Sequence, residues 1–169
     1  MKKFLTTACL FVLTVVAIAW FMAPPVFGQM SARAKEEEAI RQVLARFEVA
    51  FEKRDARICT ANFVDDADWE DGFGIRAQGR SNIEKSLAGV YQIPAKGHRQ
   101  ITELRIRFIT SDVAVADVNA EILGRISATG RRNPLPVKFR TTHVFKKNNG
   151  NWRVVIFRSA DLRDPRDIP

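Results

Sequence analysis

Residues 101–122 read ITELRIRFITSDVAVADVNAEI, and this stretch decides the fold class. On each side of its central Ser-Asp turn, apolar and polar residues alternate with the period of two that is typical of half-buried strands. If Phe108 pairs with Ala114, then Arg105 lies opposite Asp117, which is a favourable cross-strand pair on the outer face. We therefore predict an antiparallel hairpin with one apolar face directed toward the rest of the chain.

A second hairpin is predicted over residues 137–159, with its turn at the Asn-Asn-Gly-Asn run. A regular ladder extended from that turn places Thr141, His143 and Arg158 on the same face. Most of the large apolar side chains of the hairpin share that face, so we predict that it points inward. The other face of the sheet is then apolar enough for a homodimer surface. Its apolar members are Val115, Val144, Val155 and Phe157.

The segment before these hairpins predicts three helices. The first helix, roughly residues 31–53, has apolar residues at helical spacing, and Phe47 is one of them. Asp55 is suited to cap a short second helix that carries Ile58 and Cys59 inward. The Ser-Asn-Ile-Glu run at residues 81–84 fits a capping box at the start of a third helix. Its apolar face includes Ile83, Leu87, Val90 and Tyr91.

Two short strands are predicted around the Asp71-Gly72 turn, between the second and third helices. Helices followed by long antiparallel strands are typical of the α+β class. We expect a cone-shaped, curved antiparallel sheet wrapped by three N-terminal helices, with a small-molecule pocket at its open end. Residues 29–169 would form one such domain.

Residues 1–28 have the pattern of an export signal. Two lysines precede the uncharged run at residues 4–23, and small residues at the signal-peptidase spacing follow a proline pair. The alternative is an uncleaved anchor, because such a run is long enough to span a bilayer. Either reading predicts a periplasmic, secreted or membrane-anchored protein. Loss of the two lysines lowers the net charge from +8 to +6.

Composition argues against several functional classes. Cleavage would leave Cys59 as the only cysteine, and we interpret it as a buried apolar residue rather than a nucleophile. Two histidines without ligand spacing give a metal site little support. The basic residues are spread along the chain, so nucleic-acid binding is not predicted. No residue pattern requires a cofactor.

The chain resembles the nuclear-transport-factor-2-like superfamily, and within it the exported SnoaL-like or SgcJ/EcaC-type proteins. The resemblance rests on FVDDA at residues 63–67, Gly79-Arg80 with Ile83, and GNWRV at residues 150–154. It spans about residues 37–159. The fold that this resemblance implies is a cone-shaped α+β barrel.

One segment, residues 65–74, is similar to the part of ketosteroid isomerase that carries the catalytic aspartate, and the matching residue is Asp71. The position of that enzyme's oxyanion-binding tyrosine falls on Phe47, which has no hydrogen-bond donor. The position of its protonated aspartic acid falls on His143. The resemblance therefore implies a pocket carboxylate without the same oxyanion donors, which argues against steroid isomerisation by that mechanism.

Two hypotheses follow. The first is a small-molecule-binding domain that acts as a cofactor-independent acid–base enzyme of the isomerase, cyclase or hydrolase type. Asp71 and His143 would be catalytic, and Arg158 would bind an anionic group of the ligand. The remaining pocket wall would be Phe47, Trp69, Tyr91 and Thr141. The second hypothesis is a non-catalytic, dimeric domain that binds a ligand or a protein. An Arg158–Asp71 ion pair would favour this second hypothesis.

Overall fold

The computed structural model describes residues 31–93, 96–126 and 136–162. The fold described below belongs to the compact unit Glu36–Pro169, apart from the first residues of its first helix, which begins at Ala32. The predicted export signal at residues 1–28 lies outside the described residues. No helix within the described ranges is long and apolar enough to cross a membrane.

Three helices and six strands follow the α+β order that the sequence predicts. The helices are α1 (Ala32–Glu52), α2 (Ala56–Thr60) and α3 (Arg80–Gln92). The strands are β1 (Phe63–Glu70), β2 (Arg76–Gln78), β3 (Lys96–Phe108), β4 (Val113–Ile126), β5 (Val137–Asn148) and β6 (Asn151–Asp161).

The strands form one curved, open sheet in the order β2-β1-β6-β5-β4-β3. The predicted α+β fold with a curved sheet is confirmed, and all neighbouring strands are antiparallel except β1 and β6, which are parallel. The predicted pairs Phe108–Ala114 and Arg105–Asp117 are confirmed in the β3–β4 ladder.

The core lies between α1 and the inner face of the sheet. The apolar stripe of α1 is buried as its spacing predicts, and it packs with residues from α3 and from β1, β4, β5 and β6. Asp55 caps α2, where its side chain accepts a hydrogen bond of 2.9 Å from the backbone N–H of Ile58. Ile58 itself is half exposed, which contradicts its predicted inward position.

Helix α3 begins differently from the prediction. Gly79 is its N-cap, with φ of 82°, and no side-chain capping bond is formed, so the capping box at residues 81–84 is wrong. A Cβ atom at Gly79 would lie 3.4 Å from the carbonyl oxygen of Asp65. The positive φ at this position is also one that residues other than glycine rarely adopt. A close turn against β1, rather than a side-chain cap, therefore determines where α3 starts.

Candidate ligand-binding site

Asp71 closes the turn between β1 and β2. Its Oδ1 accepts hydrogen bonds of 2.8 and 2.9 Å from the backbone N–H groups of Phe73 and Ile75. This is the way in which aspartate side chains stabilise tight turns. An Arg158–Asp71 ion pair, which would favour the non-catalytic hypothesis, is not among the contacts of either residue in the described chain. A catalytic role for Asp71 stays a prediction, and its surroundings favour the turn.

Arg158 lies on the outer face of the sheet, which contradicts its predicted inward position. The β5–β6 ladder is regular from the turn to the pair Phe145–Val154, but Val144 pairs with Ile156. Val155 is thus an extra residue in β6, and such a bulge reverses the face of every residue beyond it. Arg158 pairs with Asp68 at 2.6 Å and lies 3.9 Å from Glu70.

The same bulge directs Phe157 inward, where the prediction placed it outward. Phe157 is buried and stacks on Trp69 with 3.8 Å between ring centroids. It also contacts the His143 ring, at 4.9 Å between centroids. The apolar outer face therefore has other members than the sequence predicts, because Phe157 belongs to the core and Ile156, opposite Val144, lies outside in its place.

His143 and Thr141 face inward on β5, as predicted. His143 is completely buried and lies edge-on to the ring of Phe47, with centroids 5.5 Å apart. Burial, and secondly the charge of Arg99, lower the pKa of His143 to about 3. The imidazole is therefore neutral at physiological pH, with one nitrogen that donates and one that accepts hydrogen bonds.

Arg99 and Glu48 form an ion pair inside the fold. Arg99 projects from β3, and Nη1 faces Oε2 of Glu48 on α1. The two side chains are only 5% and 15% exposed. The guanidinium also lies over the rings of Phe51 and Phe139, with its Cζ atom 5.3 and 4.8 Å from their centroids. Because burial disfavours the charged form, the pKa of Arg99 falls to about 10, where it remains protonated at neutral pH.

We name Glu48, Arg99, Thr141 and His143 the inner polar cluster. Thr141 and His143 alternate on one face of β5, and the Arg99 guanidinium, paired with Glu48, lies over Phe139 on that same face. Several of its buried atoms find no hydrogen-bond partner within the described ranges. These atoms include Glu48 Oε1, Arg99 Nε, Thr141 Oγ1 and both ring nitrogens of His143.

Unsatisfied buried polar atoms are uncommon in native proteins, since each one has lost its hydrogen bonds to water without compensation. The cluster presents donors on Arg99, Thr141 and His143 and an acceptor on Glu48. Buried polar atoms without partners, surrounded by aromatic side chains, are typical of small-molecule sites.

The aromatic residues assigned to the pocket wall are distributed around this cluster. Phe47 and Trp69 are buried, Tyr91 is half-buried, and Phe47 is the one that contacts His143 directly. Tyr91 Oη lies 3.4 Å from Cys59 Sγ. Burial raises the pKa of the Cys59 thiol to about 11 and also raises the pKa of Tyr91, so neither group ionises at neutral pH. This agrees with the interpretation of Cys59 as a buried apolar residue.

Sequence reasoning missed Glu48 and Arg99. Glu48 follows Leu44 by four residues, so a charged residue on the edge of the apolar stripe of α1 was a usable signal. Arg99 had no such signal, because alternation counted back from Phe108 directs it outward. The β3–β4 register shifts between Ile101 and Glu103, and this second bulge turns Arg99 into the core.

No group of three or more potential metal-ligating side chains occurs in the part of the chain that the structure describes. The inner polar cluster has one histidine and one carboxylate, and that carboxylate is already paired with an arginine. Its donor set is thus better suited to hydrogen bonding with an organic ligand than to coordination of a cation.

Comparisons with known proteins agree with the fold. The family described as "SnoaL-like domain" matches residues 32–158. No curated protein matches the chain. A protein of cystatin-like fold from Caulobacter vibrioides is 19% identical with a TM-score of 0.66, covering 77% of this chain and 91% of its own.

Two further solved structures are similar to this chain. A nuclear-transport-factor-2-like protein of unknown function from Pseudomonas putida is 21% identical with a TM-score of 0.64, covering 81% of this chain and 92% of its own. A ketosteroid isomerase-like protein from Erwinia carotovora is 17% identical with a TM-score of 0.64, covering 75% of this chain and 96% of its own. At these identities the likeness establishes the fold, and function depends on the site.

Proposed function

Starting from the premise that the chain belongs to the SnoaL-like domain family, we propose that it binds a small, largely apolar molecule at the inner polar cluster. The observation that carries this proposal is the set of buried polar atoms on Glu48, Arg99, Thr141 and His143 without hydrogen-bond partners among the described residues. A polar group of the ligand would supply the missing partners. Aromatic rings around the cluster would contact its apolar part.

The ligand need not be anionic. The anionic preference predicted from the sequence depended on Arg158, which lies on the outer face with Asp68. Inside the fold the charge of Arg99 is offset by Glu48, and His143 is neutral. A neutral molecule with a carbonyl or hydroxyl oxygen therefore fits this cluster better than a carboxylate.

A matched pair of probes tests this proposal. We expect 2-naphthol to raise the free energy of unfolding by about 2.7 kcal/mol when present at 100 times its dissociation constant, and 2-naphthoate to bind more weakly. Thr141→Val should weaken 2-naphthol binding, whereas Arg158→Gln, on the outer face, should not. Chemical denaturation with and without each probe measures both effects. Equal binding to the wild type and to Thr141→Val would contradict the proposal.

Proton transfer is a second candidate function, favoured by Oε1 of Glu48, the oxygen of this ion-paired carboxylate that has no hydrogen-bond partner among the described residues. This carboxylate would accept a proton from a carbon next to a ligand carbonyl. Thr141 and His143 would donate hydrogen bonds to the carbonyl oxygen as negative charge develops there. Deuterium exchange into 2-cyclohexen-1-one, followed by NMR, tests this role. Exchange that survives in Glu48→Gln would rule out Glu48 as the base.

We also propose that residues 1–28 direct export and that residues 29–169 are the mature domain. The support is the charge and hydropathy pattern of the segment, together with its small residues before position 29. Mass spectrometry of the protein expressed in an exporting bacterial host distinguishes a cleaved signal from a retained anchor, because the retained segment adds its full mass.

A homodimer through the outer sheet face is a further proposal. Val115, Val144 and Val155 are half-buried there, although Phe157 no longer contributes. Sedimentation at several protein concentrations tests it, with Val144→Lys as the disrupting variant. A monomer at all concentrations would contradict the dimer.

A further inference from the structure

A cleft of about 240 Å³ lies where α1 meets the start of β6, apart from the inner polar cluster. Two guanidinium groups and three amides line it, and its remaining wall includes the small side chains of α1. These polar residues are Arg46, Arg153, Gln42, Asn62 and Asn151. No carboxylate is among the described residues that line this cleft. Its lining is therefore rich in hydrogen-bond donors and positively charged.

The two arginines differ from four others on this surface. Arg41, Arg76, Arg80 and Arg158 each form an ion pair with a carboxylate. No carboxylate in the described ranges pairs with Arg46 or Arg153, although both are exposed. Two like charges that line one small cleft repel each other, and this repulsion is relieved when an anion binds between them.

Two carboxylates of α1 contact residues of the cleft wall, and neither pairs with these arginines. Glu38 accepts a hydrogen bond of 3.3 Å from Gln42. Glu36 accepts hydrogen bonds from Lys147 at 2.6 Å and from Trp152 Nε1 at 2.8 Å. These bonds lower the pKa of Glu36, so it stays ionised and bound to its own partners. The positive charge of the cleft is therefore left for a ligand.

We infer that this cleft binds a tetrahedral oxyanion, a phosphate or sulfate group. Two guanidinium groups and several amide N–H groups can together donate to all oxygens of such an anion, whereas a carboxylate has only two. The cleft is smaller than the roughly 300–1,000 Å³ usual for drug-sized ligands, so it fits an anionic group rather than a whole large molecule.

An adjoining depression of about 310 Å³ shares Asn151 and Arg153 with the cleft. Asp65 lines this second depression, where its carboxylate pairs with Arg80. Because the carboxylate of Asp65 repels other anions, the oxyanion would bind in the cleft that Arg46 lines. The depression would then have space for the organic part of a phosphate ester. This site is separate from the proposed function and does not depend on it.

Titration of the full chain with inorganic phosphate tests the inference, followed by NMR of the arginine Nε–H signals. We expect saturable shifts at Arg46 and Arg153, and at least about tenfold weaker binding in Arg46→Gln and in Arg153→Gln, because each change removes charge-assisted hydrogen bonds to the anion. Arg41→Gln, on the same helix, and Arg107→Gln, on β3, are the charge-matched controls. Shifts that do not saturate, or equal weakening in the controls, would overturn it.

Vesicles distinguish the source of the anion. A free phosphate compound is the source if inorganic phosphate binds and phosphatidylglycerol vesicles recruit the controls and the cleft variants equally. A lipid headgroup is the source if only the cleft variants lose binding to phosphatidylglycerol vesicles. If neither phosphate nor these vesicles distinguish the cleft variants from the controls, the cleft does not bind an oxyanion.

Discussion

The two faces of the sheet differ in how their polar side chains are hydrogen-bonded. On the outer face several polar groups are paired, for example Thr142 with Asp117 at 2.6 Å and Arg158 with Asp68 at 2.6 Å. On the inner face, Thr141 and His143 lack hydrogen-bond partners within the described chain. Paired polar groups at the surface are explained by folding alone. Unpaired ones in the core oppose folding, so they indicate selection for something other than stability.

The largest expected difference between the faces concerns the ion pair of Glu48 with Arg99. Arg99→Met should lower the free energy of unfolding by about 3–5 kcal/mol, because it leaves the Glu48 charge buried without its partner. The double variant Glu48→Leu/Arg99→Met should recover most of that loss. Arg158→Gln is the outer-face control and should cost about 0–1 kcal/mol, since that pair is solvent-screened. Urea denaturation of the four proteins measures these values. Equal losses of unfolding free energy in Arg99→Met and Arg158→Gln would show that the buried and the exposed ion pair do not differ in their contribution to stability.

An intermediate effect is expected from pH. The pKa of His143 in the folded protein, about 3, lies below the ordinary value of 6.5, so between these values the unfolded chain binds a proton that the folded chain does not. Stability should therefore fall as the pH falls below about 6.5, by about 1.4 kcal/mol per pH unit. Carboxylates such as Glu36, whose pKa is lowered, lose their contribution to stability only below about pH 4.5. Between pH 6.5 and 4.5 the change in stability therefore reports on the histidine.

His143→Leu should flatten the stability profile over that range, and His98→Gln, at an exposed histidine, should leave its slope in place. Thermal unfolding of the three proteins at half-unit steps of pH provides the measurement. A wild-type profile that is already flat would show that His143 is not held neutral by burial.

The smallest expected effect is at Thr141. Thr141→Val should raise the free energy of unfolding by about 1 kcal/mol in the absence of ligand, because it removes a buried hydroxyl without a hydrogen-bond partner in the described chain and preserves the side-chain shape. Thr142→Val, one residue along and facing outward, should lower it, because Thr142 donates to Asp117. Loss of stability in Thr141→Val would mean that its hydroxyl has a structural partner, and the inner polar cluster would lose a member.

The sequence alone determined the class of fold, the apolar stripe of α1, the β3–β4 pairing near Phe108 and the inward direction of His143. These features follow from periodicity, which local spacing preserves. Only the tertiary structure decided the directions of Arg99, Phe157 and Arg158, because each lies beyond a β-bulge and one added residue exchanges the two faces of a strand. The position of a bulge depends on packing between distant segments, here α1 and β1 against the sheet. No local sequence pattern in these strands therefore predicts it.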